Sequence, residues 1–164
     1  MEKKVRKAVR CYLIKDNKIV VTKYKEGNQK EGYYDIPGGK IEEGELPEQT
    51  AIREMKEETG IDVKNLRHKG IMIVEYPNRK FIFDTFVSNE YEGTPQNFEE
   101  NTSEWMKITD LLQKDKILSN IIILDRFFIK GLIDDDYNFS MHVIVDEQED
   151  ILNIEYSLEK KWKY

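Results

Sequence analysis

The segment 47–60 predicts a helix whose ends are set by its own residues and whose two sides differ in chemistry. Pro47 suits the first turn, because the N–H that proline lacks has no helical partner there, and Gly60 suits the C-terminal cap. The side that can pack against a sheet carries Ala51, Ile52 and Met55. A helix with one apolar side needs a partner layer, and strand patterns elsewhere in the chain supply one.

The opposite side of this predicted helix carries three carboxylates. Glu54, Glu57 and Glu58 are spaced i, i+3 and i+4, so their side chains share one face and repel one another. Arg53 offsets part of this charge, since it lies four residues before Glu57. A divalent cation would offset more, because Mg²⁺ and Mn²⁺ prefer oxygen ligands. A solvated charged face explains the helix equally well when the helix is taken alone.

The loop before the helix distinguishes these two interpretations. Gly38 and Gly39 allow a sharp bend and a close approach of the backbone to metal or phosphate. From Gly39 onward the chain matches G-x5-E-x7-R-E-U-x-E-E-x-G-U in full, where U is aliphatic. The matching positions are Gly39, Glu45, Arg53, Glu54, Met55, Glu57, Glu58, Gly60 and Ile61. This pattern is the signature of the Nudix hydrolases, which the chain closely resembles.

The resemblance implies a fold, a cofactor and a reaction. The fold would be an α/β/α sandwich with a central mixed β-sheet, and the reaction would be metal-dependent hydrolysis of a nucleoside diphosphate linked to another group. By position in the signature, Glu57 and Glu58 would be metal ligands, and Glu54 would be a ligand or the catalytic base. Gly39 would lend its carbonyl oxygen to the metal. The residues implied to orient the carboxylates or approach the substrate phosphates are Arg53, Glu45 and Lys40.

Strand patterns lie on both sides of this helix along the chain. Strands are predicted over residues 5–14, 18–25, 33–36, 66–76, 80–88, 103–108, 138–145 and 150–156, with a hairpin turn at Asp16-Asn17. A helical turn capped by Thr109, an apolar helix over 117–130 and an acidic loop over 90–101 are also predicted. The order of elements favours one α/β domain over residues 1–164, with a mixed sheet covered by helices.

Charge and cysteine content limit the partners and the compartment. The 32 acidic residues outnumber the 26 lysines and arginines, so binding of a nucleic acid polymer is not expected. The longest purely apolar run, residues 121–124, is too short to span a membrane. Cys11 is the one cysteine, interpreted as a small buried residue, and suits a cytoplasmic protein. The sequence carries no signal for an oligomeric state.

Outside the signature, the chain is similar to the MutT-like branch of the family that destroys oxidised purine nucleoside triphosphates. The similar features are Gly93-Thr94-Pro95 after a strand, an acidic stretch before Trp105, and a C-terminal strand pair. In that branch a glutamate a few residues before the tryptophan joins the metal site. Glu100 is the matching position, with Glu99 as second choice, and an ordinary loop carboxylate is an equal alternative.

Two departures from that branch affect recognition of the base. Asp35 stands where the branch has an asparagine, and Ser119 and Asn120 stand near its paired aspartates. A change of donors and acceptors at the base edge changes specificity, although Asp35 also suits a turn before proline. Asp35 and Asn120 are therefore predicted to contact the base, and Lys23 the phosphates. The aromatic residues that could stack on the base are Tyr33, Tyr34, Phe81, Phe83 and Trp105.

The leading hypothesis is a Mg²⁺- or Mn²⁺-dependent pyrophosphohydrolase of nucleoside triphosphates, with oxidised purines such as 8-oxo-dGTP as candidates. Its products would be a nucleoside monophosphate and pyrophosphate. One alternative keeps the chemistry and replaces the substrate with a nucleotide sugar or another nucleoside diphosphate derivative. Another is a nucleotide-binding regulator without catalysis. The intact set of Glu54, Glu57 and Glu58 argues against the regulator.

Overall fold

The computed structural model describes residues 2–161, and within them a mixed sheet of eight strands is the largest feature. The strands of the chain are β1 Lys4–Lys15, β2 Lys18–Tyr24, β3 Tyr34–Asp35, β4 Asp62–Lys64, β5 Arg67–Glu75, β6 Arg79–Ser88, β7 Glu90–Glu92, β8 Asn101–Lys107, β9 Tyr137–Val145 and β10 Ile151–Lys160. The helices are α1 Pro47–Thr59, α2 Ile108–Leu111, a 3₁₀ helix Ser119–Leu124, and α3 Ile129–Ile133.

The order of the sheet is β10-β9-β5-β6-β1-β2-β3, with β8 pairing on β2. β1 runs parallel to β6 from Lys4 to Leu13, but it pairs with β2 only at its last two residues, Ile14 and Lys15. β2 then turns away to pair with β3 and β8. β4 and β7 form a separate two-stranded sheet.

The separation of β2 from β1 leaves a free edge on β1. The segment Pro37-Gly38-Gly39, called the glycine loop below, pairs with that edge. The Val9 N–H donates to the Gly39 carbonyl at 2.9 Å, and the Cys11 N–H donates to the Pro37 carbonyl at 2.9 Å. These bonds continue the sheet in a segment that has no strand pattern in its sequence. They fix the glycine loop beside the centre of the molecule.

Helices cover both faces of the sheet, as the predicted sandwich requires. Buried residues of α1 pack with Val9, Cys11 and Leu13 of β1 on one face. The larger core on the other face includes residues of the 3₁₀ helix and α3. Cys11 has no exposed surface, and burial raises the pKa of its thiol to about 12, which confirms its interpretation as a buried residue.

The prediction for α1 is confirmed at both ends, with one error on its packed side. Gly60 forms the C-terminal cap with φ of 77°. Ala51, Met55 and Thr59 are fully buried, whereas Ile52 is 43% exposed. Ala51, Met55 and Thr59 form an i, i+4, i+8 stripe, and Ile52, one position after Ala51, turns about 100° away from that stripe.

The apolar helix predicted over 117–130 is wrong. The 3₁₀ helix ends before Asp125, whose backbone is extended, and whose side chain accepts a hydrogen bond from the Phe127 N–H at 3.1 Å. An aspartate that binds the backbone two residues ahead favours a turn over a continuing helix. The chain therefore turns at Asp125 and resumes as α3.

Two smaller predictions also differ from the structure. The N-terminal cap of α2 is Lys107, without a side-chain hydrogen bond, so Thr109 lies inside the helix and does not cap it. The predicted acidic loop 90–101 begins with β7, which pairs with the unpredicted β4. Three-residue strands are too short to show alternation. None of the helices within residues 2–161 is long and apolar enough to cross a membrane.

Candidate active site

Arg53 connects one carboxylate before α1 with two carboxylates in the second half of that helix. Its Nε and Nη2 donate to the two oxygens of Glu45, at 2.7 and 2.9 Å. Its Nη1 donates to Glu54 at 2.8 Å and to Glu57 at 3.1 Å. The planar guanidinium can serve several oxygens at once because its donors are fixed in one plane. The arrangement has the geometry of the orienting role that the signature implies for Arg53 and Glu45.

The pairing with Arg53 determines the charge state of Glu45. Hydrogen bonds from Arg53, and then from the Thr50 hydroxyl at 2.8 Å, lower the pKa of Glu45 from the ordinary 4.5 to about 2. The hydrogen bonds to Glu45, and then to Glu54, raise the pKa of Arg53. Glu45 is thus ionised throughout the neutral range and remains a fixed partner for the guanidinium.

Replacing Glu45 with glutamine is expected to lower the free energy of unfolding more at pH 7 than at pH 3. A carboxyl group whose pKa is lowered in the folded state stabilises the protein above its unfolded pKa, and that contribution is lost as the pH falls through the folded pKa. The gap between wild type and variant should narrow from about pH 5 towards about pH 2. Denaturant titrations with a chelator present measure it, and a pH-independent gap would contradict the ion pair.

Glu58 lies on the inner side of the α1 carboxylates and is half-buried. Its Oε2 accepts a hydrogen bond from the Gly38 N–H at 3.0 Å. Burial raises the pKa of Glu58 to about 8, against the opposing effects of that N–H and of Arg10. A carboxylate held in such a place favours a neighbouring cation, which would restore its charged form.

The two glycines of the loop allow the backbone to reach these carboxylates. A Cβ on Gly39 would lie 2.4 Å from Glu54 Oε1, so a side chain there would displace Glu54. A Cβ on Gly38 would lie 2.1 Å from the Val9 carbonyl oxygen. The Gly39 carbonyl already accepts the Val9 N–H, and one lone pair of that oxygen remains for the predicted metal contact.

An acidic cleft of about 460 Å³ opens over these residues. It is lined by the glutamates Glu54, Glu57, Glu58, Glu99 and Glu100, together with Thr22, Tyr24, Phe98 and Asn101. Asn101 donates to the Glu58 carbonyl at 2.9 Å, and the Lys25 N–H donates to the Glu100 carbonyl at 3.0 Å. The loop predicted to bring Glu100 or Glu99 to the metal site therefore lies beside α1.

The cleft suits a hard divalent cation, because its glutamate side chains offer the oxygen ligands that such a cation prefers. Within residues 2–161, however, no three acidic, histidine or cysteine side chains converge closely enough to hold an ion as they stand. Arg53 draws Glu54 and Glu57 to itself, while the Gly38 N–H draws Glu58. The residues fit the cation by their oxygen ligands and by the cleft that they share.

A second, basic cavity of about 780 Å³ adjoins the acidic cleft, and Tyr24 lines both. The cations that line it are Lys4, Arg6, Lys7, Arg10 and Lys40. Phe81 and Phe83 stack on each other along its wall, with ring centroids 5.7 Å apart. The acidic cleft and the basic cavity together can accept a metal and an anionic, aromatic substrate side by side.

Asp35 and Asn120, both predicted to contact the base, lie together but behind the cavity wall. Asn120 Nδ2 donates to Asp35 Oδ1 at 3.2 Å, and their exposed fractions are 4% and 2%. Backbone bonds of Tyr34 with Lys116 and Leu118 bring the 3₁₀ helix to β3 and cause this meeting. The residues that separate the pair from the basic cavity are Arg10 and Tyr24.

The other predicted substrate contacts divide between the cavity and the core. Lys40, Phe81 and Phe83 line the basic cavity. Tyr34 is 9% exposed and belongs to the core, with Lys23 Nζ 5.3 Å from its ring centroid. Other candidates pack elsewhere: Trp105 pairs with Tyr91, and Lys116 Nζ lies 5.9 Å from the ring centroid of Tyr33.

Sequence reasoning did not identify Arg10 and Tyr24 as site residues. Arg10 interrupts the otherwise apolar run Val9-Arg10-Cys11-Tyr12-Leu13, and a charge within a buried strand was the available signal. Tyr24 closes β2 next to Lys23 and had no distinguishing pattern.

Residues 4–127 match the model of the NUDIX domain. The chain belongs to the Nudix hydrolase family. The 8-oxo-dGTP diphosphatase of Escherichia coli (strain K12) is 32% identical over 113 residues, which cover 69% of this chain and 88% of that enzyme. The NAD-capped RNA hydrolase NudC of Vibrio atlanticus (strain LGP32) is 32% identical over 122 residues, which cover 73% of this chain but 42% of that protein.

The fold comparison agrees with this family. The crystal structure of a MutT protein from Bacillus halodurans superposes with a TM-score of 0.75 at 23% identity, over 94% of this chain and 97% of that one. This fold similarity covers a larger share of the chain than residues 4–127, which the NUDIX model matches. As a MutT-like Nudix hydrolase, the protein is a pyrophosphohydrolase, an enzyme that cleaves phosphoanhydride bonds.

Proposed function

We propose that this Nudix hydrolase cleaves nucleoside triphosphates into a nucleoside monophosphate and pyrophosphate, with Mg²⁺ or Mn²⁺ as its cofactor. The observation that carries the proposal is the junction at Tyr24 of an acidic cleft with a basic, phenylalanine-lined cavity. The cleft suits a cation on the phosphate chain, and the cavity suits the nucleoside and its remaining negative charge. Water would add to one phosphorus as the bridging P–O bond between the α- and β-phosphates breaks.

The proposal assigns separate tasks to the residues of the cleft. Glu57, Glu58 and Glu100 would hold the cation. When bound, the cation would neutralise phosphate oxygens and make a water molecule more acidic. Glu54, against the backbone of Gly39, would take the proton from that water as general base. Arg53 would fix the directions of Glu54 and Glu57, and Lys40 would bind the phosphate chain from the side of the basic cavity.

For the base, purine nucleotides are the first candidates. The name of the Escherichia coli relative supports an oxidised guanine nucleotide, and its identity of 32% supports the comparison. The partly exposed ring of Phe81, supported from behind by the buried ring of Phe83, offers an apolar surface of the kind on which a purine ring packs.

A panel of substrates with Mg²⁺ tests the proposal. It comprises GTP, ATP, dGTP, 8-oxo-dGTP, a nucleotide sugar and a dinucleoside polyphosphate, each followed by pyrophosphate release and by monophosphate formation. Turnover of triphosphates with equal amounts of both products is expected. Turnover confined to the nucleotide sugar or the dinucleotide would contradict the proposed substrate class. Equal rates for dGTP and 8-oxo-dGTP would contradict selection of oxidised guanine.

A further inference from the structure

We infer that Arg10 selects the base in this enzyme, and that it favours purines with a carbonyl oxygen at C6 over purines with an amino group there. The inference rests on the proposed function and assigns a specificity residue within it. It also changes the role of Asp35, from a residue that contacts the base to one that positions Arg10.

Arg10 lies between the buried polar residues and the basic cavity. Its side chain is 12% exposed and lines that cavity. Nη2 donates to Asp35 Oδ2 at 3.4 Å, and Nη1 donates to the Val9 carbonyl at 3.2 Å. Nε is buried and has no hydrogen-bond partner among the residues that the structure describes. A ligand in the cavity cannot reach Nε, but Nη1 and Nη2 each carry two N–H donors and use one of them in the contacts above. The second donor on each is available to acceptors of a ligand.

The guanidinium of Arg10 is held from three sides. Its Cζ lies 4.5 Å from the centroid of the Phe83 ring, which supports the planar group. Asp35 balances its charge from behind. Gly38 leaves space beside it, because a Cβ there would lie 2.9 Å from Nη1. The position of the group is therefore set before any substrate binds, which lowers the entropic cost of recognition.

Hydrogen bonds hold the Asp35 carboxylate in place, and that carboxylate in turn orients the Arg10 guanidinium. Its Oδ1 accepts the Ile36 N–H at 2.8 Å and Asn120 Nδ2 at 3.2 Å. Its Oδ2 accepts the Tyr24 hydroxyl at 3.1 Å in addition to Arg10. All of these partners belong to the protein, and the carboxylate is almost fully buried. Asp35 therefore acts on the substrate through the guanidinium that it orients.

The chemistry of a guanidinium sets the preference for the base. Arginine only donates hydrogen bonds, so it needs acceptors on the base edge. Guanine offers O6 beside N7, and arginine can bind both at once, whereas adenine has an amino donor in place of O6. 8-Oxoguanine retains O6. Phe81, which stacks on the buried Phe83 and is partly exposed, provides a surface beside Arg10 on which such a ring can stack.

The ratio of kcat/KM for GTP to kcat/KM for ATP tests this inference. In wild type the ratio should exceed one clearly, and Arg10→Lys should lower it by about 10- to 100-fold, the range reported for loss of a bidentate arginine contact to guanine. Both substrates are measured on one protein sample, so the ratio does not depend on the fraction that is folded. Asp35→Asn should move the ratio in the same direction.

Arg6→Lys is the matched control. Arg6 lines the same cavity, is exposed, and lies over Phe81 with its Cζ 5.8 Å from the ring centroid. This change should leave the ratio as in wild type. An unchanged ratio in Arg10→Lys, an equal fall for both nucleotides, or a wild-type ratio near one would overturn the inference while triphosphate hydrolysis stands. Absence of all triphosphate hydrolysis in wild type would instead overturn the proposed function, and the inference with it.

Discussion

Glu57→Gln is expected to lower kcat/KM for a nucleoside triphosphate by about 10³-fold, the largest effect of any single change considered. Stabilisation of the phosphate charge by a bound cation is worth several kcal/mol, and each ~1.4 kcal/mol is tenfold in rate. Glutamine retains the shape of the side chain but loses the charge that binds the cation. Initial rates of pyrophosphate release at several Mg²⁺ concentrations measure the effect.

The fold should tolerate this substitution, because the Glu57 side chain is 59% exposed and its one ion pair within residues 2–161 is with Arg53. Glu48→Gln is the matched control, since Glu48 is an exposed glutamate in the first turn of the same helix. The control should retain wild-type activity. Equal activity in the two variants would show that the carboxylate face of α1 is only a solvated surface.

Arg53→Lys should lower kcat/KM by about 10- to 100-fold, the range for residues that orient metal ligands. Lysine retains the positive charge, but it cannot donate at once to both oxygens of Glu45 and to Glu54 and Glu57. The three carboxylates would then no longer be held in fixed directions by one side chain. The Mg²⁺ concentration needed for half-maximal activity should rise together with the fall in rate.

The control for this variant is Lys56→Arg on the same helix. Lys56 is exposed and donates to Asp62 at 2.6 Å, away from the acidic cleft. The Lys56→Arg substitution should leave both the activity and its dependence on Mg²⁺ unchanged. A fall in the activity of Arg53→Lys that is fully accounted for by unfolding, with wild-type Mg²⁺ dependence in the folded fraction, would contradict the orienting role.

The parts of the fold that local signals determine were predictable. Pro47 and Gly60 delimit α1 by their own backbone preferences, and the hairpin after β1 follows from Asp16 and Asn17, which adopt φ of 52° and 60°. The helix over 117–130 was not predictable in this way. An apolar run looks the same in a helix and in a buried turn, and the hydrogen bond of the Asp125 side chain decides between them.

The candidate site likewise has one part that the sequence predicts and one part that it does not. Every carboxylate of the signature lies within 20 residues of Gly39, so its spacing could be read directly. Arg10 and Asp35 are 25 residues apart, and they meet because β2 separates from β1 and the glycine loop fills the free edge. Pairing over such a distance depends on the path of the whole chain, which a local pattern does not contain.

The most direct measurement is a ³¹P NMR spectrum of the products from a nucleoside triphosphate, recorded with Mg²⁺ and again with excess chelator. Our account predicts nucleoside monophosphate and pyrophosphate in equal amounts with the metal, and the intact triphosphate with the chelator. Formation of nucleoside diphosphate and inorganic phosphate, or the same turnover in the chelated sample, would contradict a metal-dependent cleavage between the α- and β-phosphates.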